Sequence, residues 1–95
     1  MVDSLDDKRL LVYLKIFSNE DRFGIVQLLK TKKELCAKDI GERFFLEQST
    51  TSHHLNLMLG CGLVRVKKVG RKNFYSLNQK VIEEFMHLVK DLVTK

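Results

Sequence analysis

Apolar residues repeat at helical spacing along most of this 95-residue chain, and then, once, at a spacing of two. The change falls just after Gly60 and Gly62. A period near 3.6 buries one stripe of a helix, and a period of two buries one face of a strand. The chain is therefore expected to fold as a run of helices interrupted late by a single β-hairpin. It has no proline, internal repeat or low-complexity stretch to divide that run, so one compact domain over residues 1–95 is expected. Hydrophobic residues make up 44% of it. That is enough for a small core, and a core of this size makes oligomer formation a reasonable expectation.

Leu5, Leu10, Leu11, Leu14 and Phe17 predict a first helix over about 4–17, capped by Asp3 or Ser4, with Asp6 and Asp7 at the positive end of its dipole. Asn19 reads as the cap of a second helix, about 20–30. Its wide apolar face (Phe23, Ile25, Val26, Leu28, Leu29) should make it the most buried. A charged connector, Thr31–Glu34, leads to a short helix over about 38–45, and Leu46–Glu47 turns the chain into a fourth helix over about 48–59. In that helix Thr51, Leu55, Met58 and Leu59 should face inward, with Ser49, Thr50, His53 and Asn56 on the other side. The hairpin has strands over about 63–68 and 73–77. Val64, Val66, Phe74 and Ser76 alternate with Arg65, Lys67, Asn73 and Tyr75, and Gly70 lies in the turn. Asn78 is placed to cap a last helix, about 79–93, with an apolar stripe of Val81, Ile82, Phe85, Leu88, Val89 and Leu92. Two short helices joined by a tight turn and followed by a basic hairpin make a winged helix-turn-helix. The expected fold is mainly α with a two-stranded β-wing.

The net charge of +5 says less than its distribution. Of the 12 acidic residues, nine precede Gln48 and three follow Ile82. The window between them holds Arg65, Lys67, Lys68, Arg71, Lys72 and Lys80 with no carboxylate. A polyanion-binding face is the natural inference, because clustered cations displace the counterions condensed on a phosphate backbone. The plainer alternative is a solvated basic surface. The fourth helix adds a second signal, since a helix fits the major groove and short polar side chains reach base edges. Gln48 suits a bidentate pair with adenine, and Ser49 and Thr50 suit phosphates or bases. His53 and Asn56 follow on the same face, His54 lies to the side against the DNA backbone, and Ser52 bonds either to DNA or inside the protein. Lys67, Lys68, Arg71 and Lys72 on the wing would hold phosphates or enter the adjacent minor groove.

Four segments together resemble the ArsR/SmtB family of bacterial repressors. Gln48–Leu55 resembles its recognition helix; Gly62–Arg65 and Gly70–Leu77 resemble its wing; Asn19–Phe23 resembles its Asp-Pro-x-Arg-Leu helix start; and Glu34–Ile40 resembles its Glu-Leu-Cys-Val-x-Asp-Leu segment. The match runs over 17–77. It departs at Phe45, where the family has a turn glycine, at Glu47 for a capping serine, at Glu20 for the proline and at Thr51 for an apolar residue. The resemblance implies a homodimer joined through the first and last helices (about 4–17 and 79–93), repressing transcription from near-palindromic double-stranded operators. Those two helices would otherwise only cover their own domain's core.

Family members often release DNA on binding metal, and this chain lacks the ligands. Lys38 stands where a second thiol would follow Cys36, and Gln79, Val81, Leu92 and Lys95 hold the positions of the last-helix zinc site. His87 is a lone imidazole, and His53 and His54, adjacent on a helix, diverge. No metal or other cofactor is therefore expected. Cys36 and Cys61 fit no disulfide framework. They remain either a sensor, responsive to thiol or redox chemistry or to metal through Cys36, Cys61 or both, or two small packing residues. Catalysis has no support in the sequence, which lacks a glycine-rich phosphate loop and any nucleophile motif. The acidic start and the absence of an apolar run near 20 residues lead us to expect a reduced, soluble, cytoplasmic protein without a membrane span. A protein-binding winged helix is the alternative from another class.

Overall fold

Residues 4–94 are described by the computed structural model, in the order α1 (Leu5–Phe17), α2 (Glu20–Lys32), β1 (Leu35–Cys36), α3 (Ala37–Arg43), α4 (Gln48–Gly60), β2 (Val64–Val69), β3 (Lys72–Leu77) and α5 (Gln79–Thr94). Helix α1 begins where Ser4 Oγ accepts from the Asp7 amide at 3.0 Å, and α2 begins where Asn19 Oδ1 accepts from the Arg22 amide at 3.0 Å. Each bond satisfies one of the four amides that a helix start leaves unpaired. The other candidate cap, Asp3, and the family zinc position Lys95 lie outside the described residues. At α5 the backbone carbonyl of Asn78 accepts from Val81 and Ile82, but its side chain accepts from Arg65 instead of capping.

Helix α4 ends in a left-handed turn. Gly62 has φ +80°, its amide donates to Leu59, and the next amide, of Leu63, reaches back to Met58. This pairing satisfies the last carbonyls and places Leu63, fully buried, beside the equally buried Met58.

The hairpin closes on two residues, Gly70 and Arg71, between the paired Val69 and Lys72. Gly70 has φ +62° while Arg71 stays at negative φ, the pattern of a type II′ turn. The turn sets the register at Val64↔Leu77 and Val66↔Tyr75. Tyr75 and Leu77 therefore share a face with Val64 and Val66, and the expected partners Phe74 and Ser76 fall on the other. Tyr75 is the buried member of β3. The expected strand ends Lys68 and Asn73 are paired in this same register, so the exchange lies in the alternation assigned to β3 and not in the turn.

A third strand joins this pair. Strand β1, in residues assigned to no element between the expected connector and third helix, pairs antiparallel with β3 as Leu35↔Tyr75 and Cys36↔Phe74, giving the sheet order β1-β3-β2. Two residues are too few to show a period, so only tertiary pairing defines the strand. Helix α3 stops at Arg43 rather than 45, because Phe45 takes φ +55° and leaves the helical path.

The main core gathers Ile16, Ile25, Leu29, Ile40, Leu55, Met58, Leu63, Val64 and Tyr75 between the helices and the sheet. Helix α4 contributes more buried side chains to the interior (Thr51, His54, Leu55, Met58) than α2, which buries Ile25 and Leu29 and leaves Phe23 48% exposed. A second cluster of Leu10, Tyr13 and Leu88 joins α1 to α5. Beside it Tyr13 donates to Glu84 at 2.7 Å, and Arg9 pairs with the same carboxylate. Among the described residues no helix is long and apolar enough to cross a membrane.

Candidate nucleic-acid interface

Helices α3 and α4 cross closely because Gly41 has no side chain. A Cβ there would come within 2.8 Å of Thr51 Oγ1 and 3.4 Å of the Leu46 carbonyl. The turn between them is closed by the Leu46 amide donating to Gly41 at 2.9 Å. Thr51, which departs from the apolar pattern of the resembling family, buries its hydroxyl by donating to the Glu47 carbonyl at 3.0 Å. Position 24 is small for a related reason, since a Cβ there would meet the Phe44 ring at 2.7 Å. Two glycines thus fix how α3 seats between α2 and α4. A groove of about 420 Å³ remains between α3 and α4, edged by Lys38, Gln48 and Ser52.

The outer side of α4 carries Gln48, Ser49, Thr50, Ser52, His53 and Asn56, all exposed. Ser52, left open between DNA and the interior, faces solvent. Glu47 begins the helix without a capping bond from its side chain.

His54 is a correction. It is 6% exposed and sits inside the domain. Arg22 Nη1 lies 3.2 Å from its Nδ1, and its Nε2 lies 3.7 Å from Asp21. A guanidinium only donates, so Nδ1 accepts and the ring proton sits on Nε2, toward the carboxylate. Burial, and then the Arg22 charge, hold the His54 pKa below its ordinary value, with a smaller push the same way from His53 and an opposing pull from Asp21. The same Arg22 donates to the Ile16 and Lys15 carbonyls at the end of α1, at 3.1 and 3.2 Å. One side chain therefore ties the C-terminus of α1 to the inner face of α4. The pairing needs two residues 32 apart in sequence, so no local period could reveal it.

On the wing, Lys67, Lys68, Arg71 and Lys72 are all exposed. The register puts Lys67 and Lys72 on one face of the ribbon and Lys68 on the other, with Arg71 at the tip. Lys67 also reaches Glu34, at 3.3 Å, a surface pair of little stabilising value. The helix face and the wing are joined through the Gly62 turn and by packing of α4 on β2.

Cys36 is 5% exposed and Cys61 is half-buried, its thiol donating to the Met58 carbonyl at 3.5 Å; both are free thiols. Among the described residues no group of three or more His, Cys, Asp or Glu side chains is placed to hold a metal ion. The metal sites of the resembling family do not fit the residues present: Cys36 is buried and the second sulfur position is Lys38.

A short helix, a tight turn, a polar-faced helix and a cationic hairpin define a winged helix-turn-helix DNA-binding protein. The profile described as "Bacterial regulatory protein, arsR family" matches residues 19–66. The chain belongs to this family. Over 79 residues it is 38% identical to the arsenical resistance operon repressor of Staphylococcus aureus, covering 83% of this chain and 75% of that one. It is 37% identical over 76 residues to the cadmium resistance transcriptional regulatory protein CadC of Listeria innocua, covering 80% and 64%. Its structure resembles HlyU from Vibrio cholerae N16961 with a TM-score of 0.77 at 28% identity, covering 98% and 100% of the two chains. The transcriptional repressor PagR of Bacillus anthracis aligns with a TM-score of 0.68 at 32% identity, covering 88% and 92%. The protein is a DNA-binding transcriptional regulator and not an enzyme.

Proposed function

We propose that the protein is a homodimeric repressor that binds near-palindromic operators without a metal effector site. The observation that carries this reading is the exposed polar face of α4 set beside a carboxylate-free cationic wing. In it, Gln48, Ser49, Thr50, Ser52, His53 and Asn56 enter the major groove. Lys67, Lys68, Arg71 and Lys72 meet phosphates from both faces of the ribbon, as a wing lying between two backbones requires. His54 is excluded from the contact set and supports α4 from inside. One module reads few bases, and a two-fold pair doubles the site. The arsenical-resistance relative is named a repressor, which supports the same direction of control here.

Selection of bound duplexes from a random pool tests the proposal. Recovery of an inverted repeat with half-sites about one helical turn apart is the expected result. Recovery of no duplex, or of unpaired half-sites bound by a monomer, would contradict it.

A further inference from the structure

Phe45 stands in the turn between α3 and α4 and is 96% exposed, more than any other large apolar side chain described. Its backbone has φ +55°, a left-handed conformation that costs an L-residue energy and that glycine adopts freely. The neighbours explain neither feature. Phe44 turns inward against Gly24, and Leu46 closes the turn with its amide on Gly41. The fold gains nothing from an aromatic ring at residue 45, and it bears both a strained backbone and a ring held in water. An outlier that the fold does not need points to function.

Phe45 is three residues before Gln48. Three residues of chain span at most about 11 Å, and the major groove is about 12 Å wide. With Gln48 in the groove, as the proposed function has it, Phe45 lies within about one groove width of the bases that Gln48 meets. Glu42, Arg43 and Glu47 around it are also exposed. Two carboxylates in that set make this part of the surface a poor phosphate site and leave base edges as its target. The apolar group that duplex DNA offers in the major groove is the thymine methyl.

We propose that Phe45 is a specificity residue that packs on a thymine methyl group beside the bases read by α4. This rests on the reading of α4 as the recognition helix. The contact is apolar and therefore adds little to the salt dependence, in contrast to the wing lysines.

The test uses the full chain, the duplex selected by the wild-type protein, and the same duplex with deoxyuridine in place of single thymidines. Phe45→Gly is expected to fold more stably, with a melting temperature higher by about 5 °C through relief of the left-handed strain. It is also expected to bind at least about fivefold more weakly. Removing one methyl should cost the wild type about fourfold and the glycine variant nothing. Phe45→Asn, which tolerates the same backbone, should behave like glycine. Unchanged affinity in both variants, or equal sensitivity of wild type and variant to uracil at every position, overturns the assignment. A variant in which Lys67, Lys68, Arg71 and Lys72 are neutralised separates the two ideas. If it loses affinity while Phe45→Gly does not, only the Phe45 assignment fails; if neither variant loses affinity, the interface itself is misplaced.

Discussion

Arg22 and His54 show how much one pair of side chains organises. The guanidinium bonds to two carbonyls at the end of α1 and to a ring on the buried side of α4, so the first helix and the proposed recognition helix share a support. Because His54 is buried beside a cation, its pKa lies below the ordinary 6.5, and the folded protein binds fewer protons than the unfolded chain. The stability from this neutral ring is complete above the ordinary pKa and is lost as pH falls through the window below it. Urea midpoints should therefore drop as pH falls below the ordinary value of 6.5, and His54→Gln should flatten that part of the curve. A curve of the same slope in the variant would assign the loss to other groups. At Gly41 an added methyl must displace Thr51. Gly41→Ala is expected to destabilise the domain by about 1–3 kcal/mol, and adding Thr51→Ala should restore part of it by removing the clashing oxygen. Thermal melts of the two single variants and the double variant measure that coupling directly.

At the scale of elements, the wing is a ribbon whose two-residue turn decides which cations share a face. Lys67 and Lys72 lie together and Lys68 lies opposite. If all of them meet phosphates, each neutralised residue should lower the slope of log affinity against log salt by about 0.9. Gel shifts over a salt series with Lys68→Gln and with Lys67→Gln provide the readings. An unchanged slope for both would remove the wing from the interface. Glu34, paired with Lys67, makes the smaller effect at position 67 the expected one. The two thiols differ by element as well. Cys36 lies in β1, closed off by β3, whereas Cys61 is half-buried after α4. A thiol reagent should label Cys61 before Cys36 in the native protein, and mass spectrometry of a time course gives the order.

The whole molecule is longer than a domain of its size needs to be, at 45 × 22 × 20 Å with a radius of gyration of 14.1 Å, against about 12–13 Å for a chain this long. Much of its exposed apolar surface lies on the terminal helices: Leu11 and Val12 on α1 are 48% and 47% exposed, and Met86, Leu92 and Val93 on α5 are 62%, 63% and 72% exposed. Apolar surface of that kind marks an association face, which supports the proposed dimer through α1 and α5. Melting temperature should therefore rise with protein concentration. Leu11→Glu or Leu92→Glu should give monomers in sedimentation and weaken operator binding together. Monomeric wild-type protein at micromolar concentration would rule this face out as a stable interface.

Local chemistry in the sequence was enough to define most elements. Ser4 and Asn19 each carry the side-chain oxygen that a helix start needs, a glycine after α4 can take positive φ, and alternation after Gly62 favours strands. The polar residues of α4 and the wing cations were legible for the same reason, since they follow one another at fixed spacing. What needed the folded chain were the facts that depend on distant partners. Strand β1 exists only because β3 pairs with it. That Tyr75 and not Phe74 is the buried residue of β3 follows from what packs on that face of the sheet. His54 falls at helical spacing with the inward-facing Thr51 and Met58, so the period already carried the signal for its burial, and only the bond from Arg22 of another helix needed the folded chain. A period reports which way a side chain points along its own element; tertiary structure alone decides what stands opposite, and so whether a polar group meets solvent or a buried partner.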